Sequence, residues 1–140
     1  MDHKIVMLPL GGSALINGAA AQQLEEIKRI CPNISALIDS ERSSAGEQLT
    51  TERTAFKAAC DAAGITCHVL ERRAIENYFT DRAVKQVKGS QYSALGPFDR
   101  LGAISPSWVK SENWRIAREM NSSELAPTDL GNFLAKLCQS

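Results

Sequence analysis

Apolar residues in the first half of the chain fall into three short runs. These runs span residues 4–10, 35–39 and 65–70. A short, continuous apolar run is typical of a strand that is buried on both faces of a parallel sheet. The sequence therefore predicts three buried strands, and the polar segment 40–46 is expected to be a loop.

Helical spacing of apolar residues fills the two intervals between these strands. The first helix is predicted over residues 17–30 and is ended by Pro32. The second is predicted over residues 49–63, and Gly64 is suited to terminate it. Strand and helix thus alternate, which predicts a right-handed βαβαβ unit with a small parallel sheet of about three strands.

The second half of the chain has a helical pattern. Helices are predicted over residues 71–79, 80–88, 105–120 and 130–137, with Thr80 and Ser105 as caps. Residues 89–102 and 121–127 are expected to be loops. The prediction is an α/β core over residues 1–88, followed by a helical C-terminal extension over residues 89–140 that packs on the same domain.

Composition narrows the class of protein. Lys plus Arg is 16 and Asp plus Glu is 16, so no basic field attracts nucleic acid, which argues against a stand-alone DNA-binding domain. The four cysteines form no C-x-x-C pair and are expected to be free, reduced and partly buried thiols, as in the cytosol. No apolar run reaches the length of about 18 residues that spans a membrane, and no signal peptide is recognisable. A cytoplasmic protein is expected.

Polar residues after the predicted strands are the candidates for chemistry, because ligands of open parallel sheets bind beyond the carboxyl ends of the strands. Gly11, Gly12 and Ser13 follow the first strand and form either a tight turn or an anion contact. Asp39 and Glu41 follow the second strand. They are either paired carboxylates suited to Mg²⁺ or Mn²⁺, or a turn residue and a solvated glutamate.

The segment after the third strand contains further charged residues. Arg72 and Glu76 are four residues apart and could simply pair on a helix surface, and Glu71 lies where a helix dipole favours a carboxylate. On spacing alone, these structural explanations are favoured over a functional one.

The combination of "LIDSERSS" with "HVLERRAIENYF" about thirty residues later resembles the Toprim domains of OLD-family, ATPase-linked nucleases. The resemblance implies a three-layer α/β fold in which Asp39, Glu41, Glu76 and less strongly Glu71 bind Mg²⁺ or Mn²⁺. Arg73 would lie beside the same site as a phosphate or anion contact. The later segment "WVKSENWRIAREM" resembles the family's late helix, which implies that Lys110 approaches the metal and acts with Glu76 in catalysis.

One departure from the family pattern changes the expected function. Toprim nucleases have a glutamate at the end of a first strand, in a V-E-G-x-x-D type motif that this sequence does not contain. No phosphate-binding ATPase motif is present either. The expected function is that of a nuclease domain, with DNA or RNA as substrate, that is completed by an ATPase domain or partner chain. A system of this kind could act in phage defence. The alternative is a non-catalytic module for assembly or ligand sensing. An unprotected sheet edge would favour a homo-oligomer or complex.

Overall fold

The computed structural model describes residues 5–9, 16 and 20–139. Six α-helices and two strands are assigned among them: α1 (Ala21–Ile30), β1 (Ser35–Ile38), α2 (Thr51–Ala62), β2 (Thr66–Val69), α3 (Asp81–Lys88), α4 (Asn113–Glu119), α5 (Ser122–Leu125) and α6 (Asp129–Leu137). Two short 3-10 helices, Ile75–Tyr78 and Lys110–Glu112, complete the regular structure of this part of the chain. The class is therefore α/β, as predicted.

The described residues divide into two compact units. The first unit comprises those within residues 1–38, 48–69 and 134–140, and the second comprises residues 39–47 and 70–133. The loops that follow both strands thus belong to the second unit.

A parallel strand pair and two helices build the first unit. β1 and β2 pair in parallel with the register Ser35–Thr66 to Ile38–Val69, and α2 lies between them in sequence. The buried core of this unit is apolar and consists of Ala20, Leu24, Ile38, Phe56, Cys60 and Ile65. The predicted β-α-β connection with a parallel pair is confirmed.

The ends of α2 follow from local chemistry. The side chain of Thr50 accepts a hydrogen bond from the Arg53 backbone N–H at 3.3 Å, which satisfies one of the free donors of the first turn. At the other end, Gly64 has φ of 72°, a conformation that glycine adopts without a steric penalty. The predicted termination at Gly64 is confirmed.

The second unit has a separate apolar core. It consists of Phe79, Ala83, Val84, Leu95, Trp108 and Ile116. Thr80 begins α3 by accepting a hydrogen bond from the Ala83 backbone N–H at 3.3 Å, so the predicted cap is confirmed. The predicted loop over residues 89–102 contains no helix or strand.

The prediction of a buried strand over residues 4–10 is wrong for residues 5–9. These residues form no strand, and the side chains of Ile5 and Met7 are 50% and 83% exposed. An apolar run becomes a buried strand only where a neighbouring strand and a covering layer receive it. Among the described residues the sheet has two strands, not three.

Two predicted helices are also shorter than expected. Of residues 71–79, only Ile75–Tyr78 is helical, as one 3-10 turn. The helix expected to begin at Ser105 instead begins with Lys110–Glu112 and continues as α4. Its start is set by Glu112, whose carboxylate accepts a hydrogen bond from the Val109 backbone N–H at 3.2 Å.

No helix in the described part of the chain is long and apolar enough to cross a membrane.

We expect Gly64→Ala to destabilise the protein by about 1 kcal/mol, because alanine pays a penalty at positive φ. A Cβ at Gly64 would meet only Lys28 Cε at 4.0 Å, so the effect reports the backbone conformation rather than a clash. Gly46→Ala is the matched control, since a Cβ there meets nothing within 4 Å and its φ is not positive. Urea denaturation followed by circular dichroism measures both, and equal stability of the two variants would contradict the explanation.

Candidate functional site

The candidate site lies in the second unit, where the loop over residues 39–47 meets the segment over residues 70–79. Ser40 joins them: its hydroxyl donates to the Arg72 carbonyl oxygen at 2.9 Å and accepts from the Arg42 backbone N–H at 3.3 Å. The Ser40 side chain is 1% exposed. A buried hydroxyl with both partners present fixes the backbone of one loop against the other.

Arg73 holds the same loop from the opposite segment. Its guanidinium donates from Nη1 to the carbonyl oxygens of Glu41 at 2.8 Å and Arg42 at 3.1 Å, and Nη2 contacts Glu41 Oε2 at 2.6 Å. The Glu41 backbone N–H donates in return to the Arg73 carbonyl oxygen at 2.9 Å. Glu41 has φ of 58°, which costs a non-glycine residue about 1 kcal/mol or more, and these bonds offset that cost.

Asn77 fixes the 3-10 turn. Its side-chain oxygen accepts from the Ala74 backbone N–H at 3.1 Å, and its amide nitrogen donates to the Gly96 and Asp99 carbonyl oxygens at 2.8 and 2.9 Å. Asn77 is 1% exposed, so these hydrogen bonds are shielded from water. Asn77 therefore connects the turn to the loop at residues 96–99.

Tyr78 anchors the end of the turn. Its hydroxyl donates to Asp129 Oδ1 at 2.6 Å and accepts from the Arg72 backbone N–H at 3.2 Å. The Arg72 guanidinium lies 4.9 Å from the centre of the Tyr78 ring. Burial, together with the hydrogen bond to Asp129, raises the pKa of the Tyr78 hydroxyl well above its ordinary value.

Glu76 is the residue of this turn whose side chain faces other charged groups. The residue is 4% exposed. Its Oε1 lies 3.4 Å from Lys110 Nζ, and its Oε2 accepts from the Asn113 amide at 3.3 Å. A buried carboxylate needs such partners to remain charged at acceptable cost. The lysine supplies only partial compensation because its side chain is 65% exposed to water.

Asp39 completes a group of neighbouring carboxylates. Burial and the negative charges of Glu76 and Glu41 raise the pKa of Asp39 above its ordinary value of 3.8. Lys110 and a hydrogen bond from the Ile75 backbone oppose this increase. Glu76 and Glu41 therefore each repel Asp39 electrostatically, with Lys110 as a nearby cation. We call these four residues the carboxylate cluster.

The other predicted site residues lie in different surroundings. Gly11, Gly12 and Ser13 lie outside the described residues. The Glu71 side chain is exposed, and its backbone N–H bonds Asp129 Oδ2 at 3.1 Å, so the structure does not bring Glu71 into the carboxylate cluster. Both terminal nitrogens of Arg73 already bond the loop, so an anion at Arg73 would compete with Glu41.

Sequence reasoning misses the residues that position this cluster. The pattern places Ser40 only in a polar loop, although a serine between two acidic residues at a strand end is a candidate for side-chain to backbone bonding. Asn113 and Asp129 lie 37 and 51 residues beyond the side chains that they contact, and no local spacing connects them.

The donor atoms of the cluster suit a hard divalent cation, because carboxylate oxygens are the ligands that Mg²⁺ prefers. Asp39 and Glu76 fit this role by burial and mutual repulsion. Glu41 is engaged by Arg73 at 2.6 Å and would have to leave that pair to join them. As the side chains stand, no three His, Cys, Asp or Glu of the described residues are arranged to hold a metal ion.

Comparison with protein-family models, with curated proteins and with solved structures finds no match to this chain.

We expect Asp39→Asn to stabilise the protein by about 1 kcal/mol at neutral pH, because it removes a charge that the fold disfavours. The pKa of Asp39 is higher in the folded protein than its ordinary value of 3.8 in the unfolded chain. Ionisation of Asp39 therefore begins to cost stability as the pH rises above 3.8, and the cost reaches its full size above the folded-state pKa. The gain should therefore disappear below pH 3.8. Urea titrations across this pH range measure it; Asp61→Asn, at an exposed carboxylate, is the control. A gain that does not depend on pH would contradict the assignment.

Asn77→Ala should destabilise the protein by about 2 kcal/mol, because one buried donor and two carbonyl oxygens lose their partner. Thermal unfolding followed by circular dichroism measures the loss. Asn132→Ala, at an exposed position of α6, should change the stability by less than about 0.5 kcal/mol. Comparable effects at both positions would show that the Asn77 amide does not hold the turn.

Proposed function

We propose that this chain is a Toprim-like domain of a metal-dependent nuclease, in which the carboxylate cluster binds Mg²⁺ or Mn²⁺. The observation that supports this proposal most is the proximity of Asp39 and Glu76, two buried or half-buried carboxylates from separate loops, with Lys110 beside Glu76. Like charges held together inside a fold are unfavourable unless a cation neutralises them. A divalent cation would stabilise this arrangement.

The remaining motif residues support the same interpretation. Arg73, Asn77 and Tyr78 are each engaged in bonds that hold the loops in place. Glu76 is the member of that segment whose carboxylate faces Lys110 and influences Asp39. Arg73, Asn77 and Tyr78 thus fix the segment that carries Glu76, an arrangement typical of a preorganised site.

Asp39 and Glu76 would hold the metal, with Glu41 as a further ligand if its pair with Arg73 opens. A bound divalent cation would supply Lewis-acid polarisation of a phosphodiester and a water of lowered pKa. Lys110 would add positive charge beside the reacting phosphate, since its ammonium group is exposed and within 3.4 Å of Glu76.

The proposed activity requires parts that the carboxylate cluster does not include. Toprim nucleases use an additional glutamate in a V-E-G-x-x-D type motif, which this sequence does not contain. We therefore propose that an ATPase domain or partner chain supplies it and that DNA or RNA is the substrate. Such an ATPase-linked nuclease would suit a role in phage defence.

A non-catalytic module for assembly or ligand sensing is the second candidate. Two specific observations favour it. The carboxylates of Glu41 and Glu76 already have cationic partners in Arg73 and Lys110. In addition, the apolar side chains of residues 5–8 are exposed, which is typical of a segment that contacts another chain.

Calorimetric titration with Mn²⁺ and Mg²⁺ distinguishes the two candidates. We expect saturable binding to the wild-type chain and at least about a tenfold weaker affinity, or about 1.4 kcal/mol, in the Asp39→Asn/Glu76→Gln variant. These substitutions retain size and hydrogen-bonding atoms while they remove charge. The matched control is Glu52→Gln/Asp61→Asn, at two exposed carboxylates.

Equal binding by the control and the wild type, with loss only in the cluster variant, would support the metal site. Absence of saturable binding to the wild type, or equal weakening in both variants, would overturn it and leave the assembly module as the better description.

A further inference from the structure

Two cysteines of the first unit lie side by side, apart from the carboxylate cluster. Cys60 is on α2 and is completely buried, whereas Cys67 is on β2 and is half-buried. Cys67 packs against the apolar core cluster that contains Cys60, and each thiol influences the pKa of the other. All four cysteines are free, as predicted, but Cys31 and Cys138 are exposed rather than partly buried. Nothing in the sequence pattern indicates that Cys60 and Cys67 lie close together.

The turn between α2 and β2 produces this contact. α2 ends at Ala62, Gly64 reverses the chain through its positive φ of 72°, and β2 begins at Thr66. Cys60 in the last turn of the helix and Cys67 in the strand therefore face each other across a short connection. Cys60 also belongs to the apolar core of the unit, so its position is fixed by packing.

A shallow groove connects the pair to solvent. It has a volume of about 390 Å³, and its lining includes Cys67 together with Lys57, Asp61 and Gly64. Cys60 is 0% exposed. A small reagent can thus approach Cys67 from the groove, and Cys60 lies behind it.

We propose that Cys60 and Cys67 form an oxidation-sensitive dithiol, a modification site at which a small peroxide converts the pair to an intramolecular disulfide. In the first step the Cys67 thiol attacks one peroxide oxygen, and the O–O bond breaks to give a sulfenic acid and water. In the second step the Cys60 sulfur attacks the Cys67 sulfur, and the sulfenic oxygen leaves as water. Two thiols and one hydrogen peroxide thus yield one disulfide and two waters.

The environment of the pair sets its sensitivity. Burial raises the pKa of Cys67 to about 12 and also raises that of Cys60, while Lys57 lowers both and Asp61 raises both. Because the thiolate is the reactive form, the pair reacts slowly near neutral pH and faster in alkali. The dithiol therefore persists under mild conditions and responds to sustained oxidation.

The test uses the Cys31→Ser/Cys138→Ser variant, which removes the two exposed cysteines and leaves the pair intact. The protein is treated with hydrogen peroxide at mildly alkaline pH, alkylated under denaturing conditions and digested with trypsin. Cleavage after Lys57 and Arg72 places both cysteines on one peptide, residues 58–72. We expect this peptide to lose two hydrogen atoms, to resist alkylation and to recover both thiols on reduction.

A second digestion locates the bond. Cleavage on the N-terminal side of Asp61 separates Cys60 from Cys67, and the two fragments should stay joined only after oxidation. In a Cys67→Ser version of the same variant, Cys60 should remain alkylatable after the same treatment, because Cys60 is shielded from the peroxide.

Three results would overturn the proposal. The first is a peptide that gains oxygen at Cys67 while Cys60 stays alkylatable. The second is oxidation of Cys60 in the Cys67→Ser protein, and the third is complete resistance of both thiols. Wild-type protein treated in parallel shows whether the serine substitutions themselves alter the outcome.

Discussion

Hydrogen bonds from side chains to the main chain hold the second unit's charged residues in place. Residues 39–47 contain no helix or strand, and residues 70–74 contain none either. Their backbone groups therefore lack the regular partners that helices and sheets provide. Ser40, Arg73 and Asn77 supply those partners instead, through contacts of 2.8–3.1 Å with carbonyl oxygens and N–H groups.

The balance of charge in the carboxylate cluster depends on these bonds. Arg73 pairs with Glu41 at 2.6 Å, and Lys110 pairs with Glu76 at 3.4 Å. Arg73 is 12% exposed and neutralises Glu41 closely, whereas the exposed Lys110 is screened by water. Burial raises the pKa of Asp39, and the charges of Glu76 and Glu41 raise it further.

The local sequence pattern is sufficient to predict those helices and strands whose ends and buried faces are set by their own residues. The α1, β1, α2, β2 and α3 elements agree with the sequence prediction within a few residues, because apolar spacing, Thr80 and Gly64 act locally. The pattern of residues 71–79 predicts a helix, but Asn77 and Tyr78 bond to groups outside a helix and restrict it to one turn. Long-range contacts outweigh the local pattern there.

The sequence predicts the candidate site only in part, because long-range contacts also determine which side chains meet there. The resemblance to Toprim domains groups Asp39, Glu76 and Lys110 at one site, and these residues do lie near one another. Spacing alone cannot group them, since they come from three segments. It also cannot show that Glu41 is held by Arg73, or that the Glu71 side chain is exposed.

Asn113 connects the carboxylate cluster to a natural chromophore. The indole N–H of Trp108 donates to Asn113 Oδ1 at 2.9 Å, and the amide of Asn113 donates to Glu76 Oε2 at 3.3 Å. Trp108 is 4% exposed, whereas Trp114 is 61% exposed. The buried indole of Trp108, one amide away from Glu76, should therefore emit at a shorter wavelength than the solvated indole of Trp114. A movement of Glu76 that breaks its bond to Asn113 would alter the surroundings of the Trp108 indole, so that fluorescence would report it without a label.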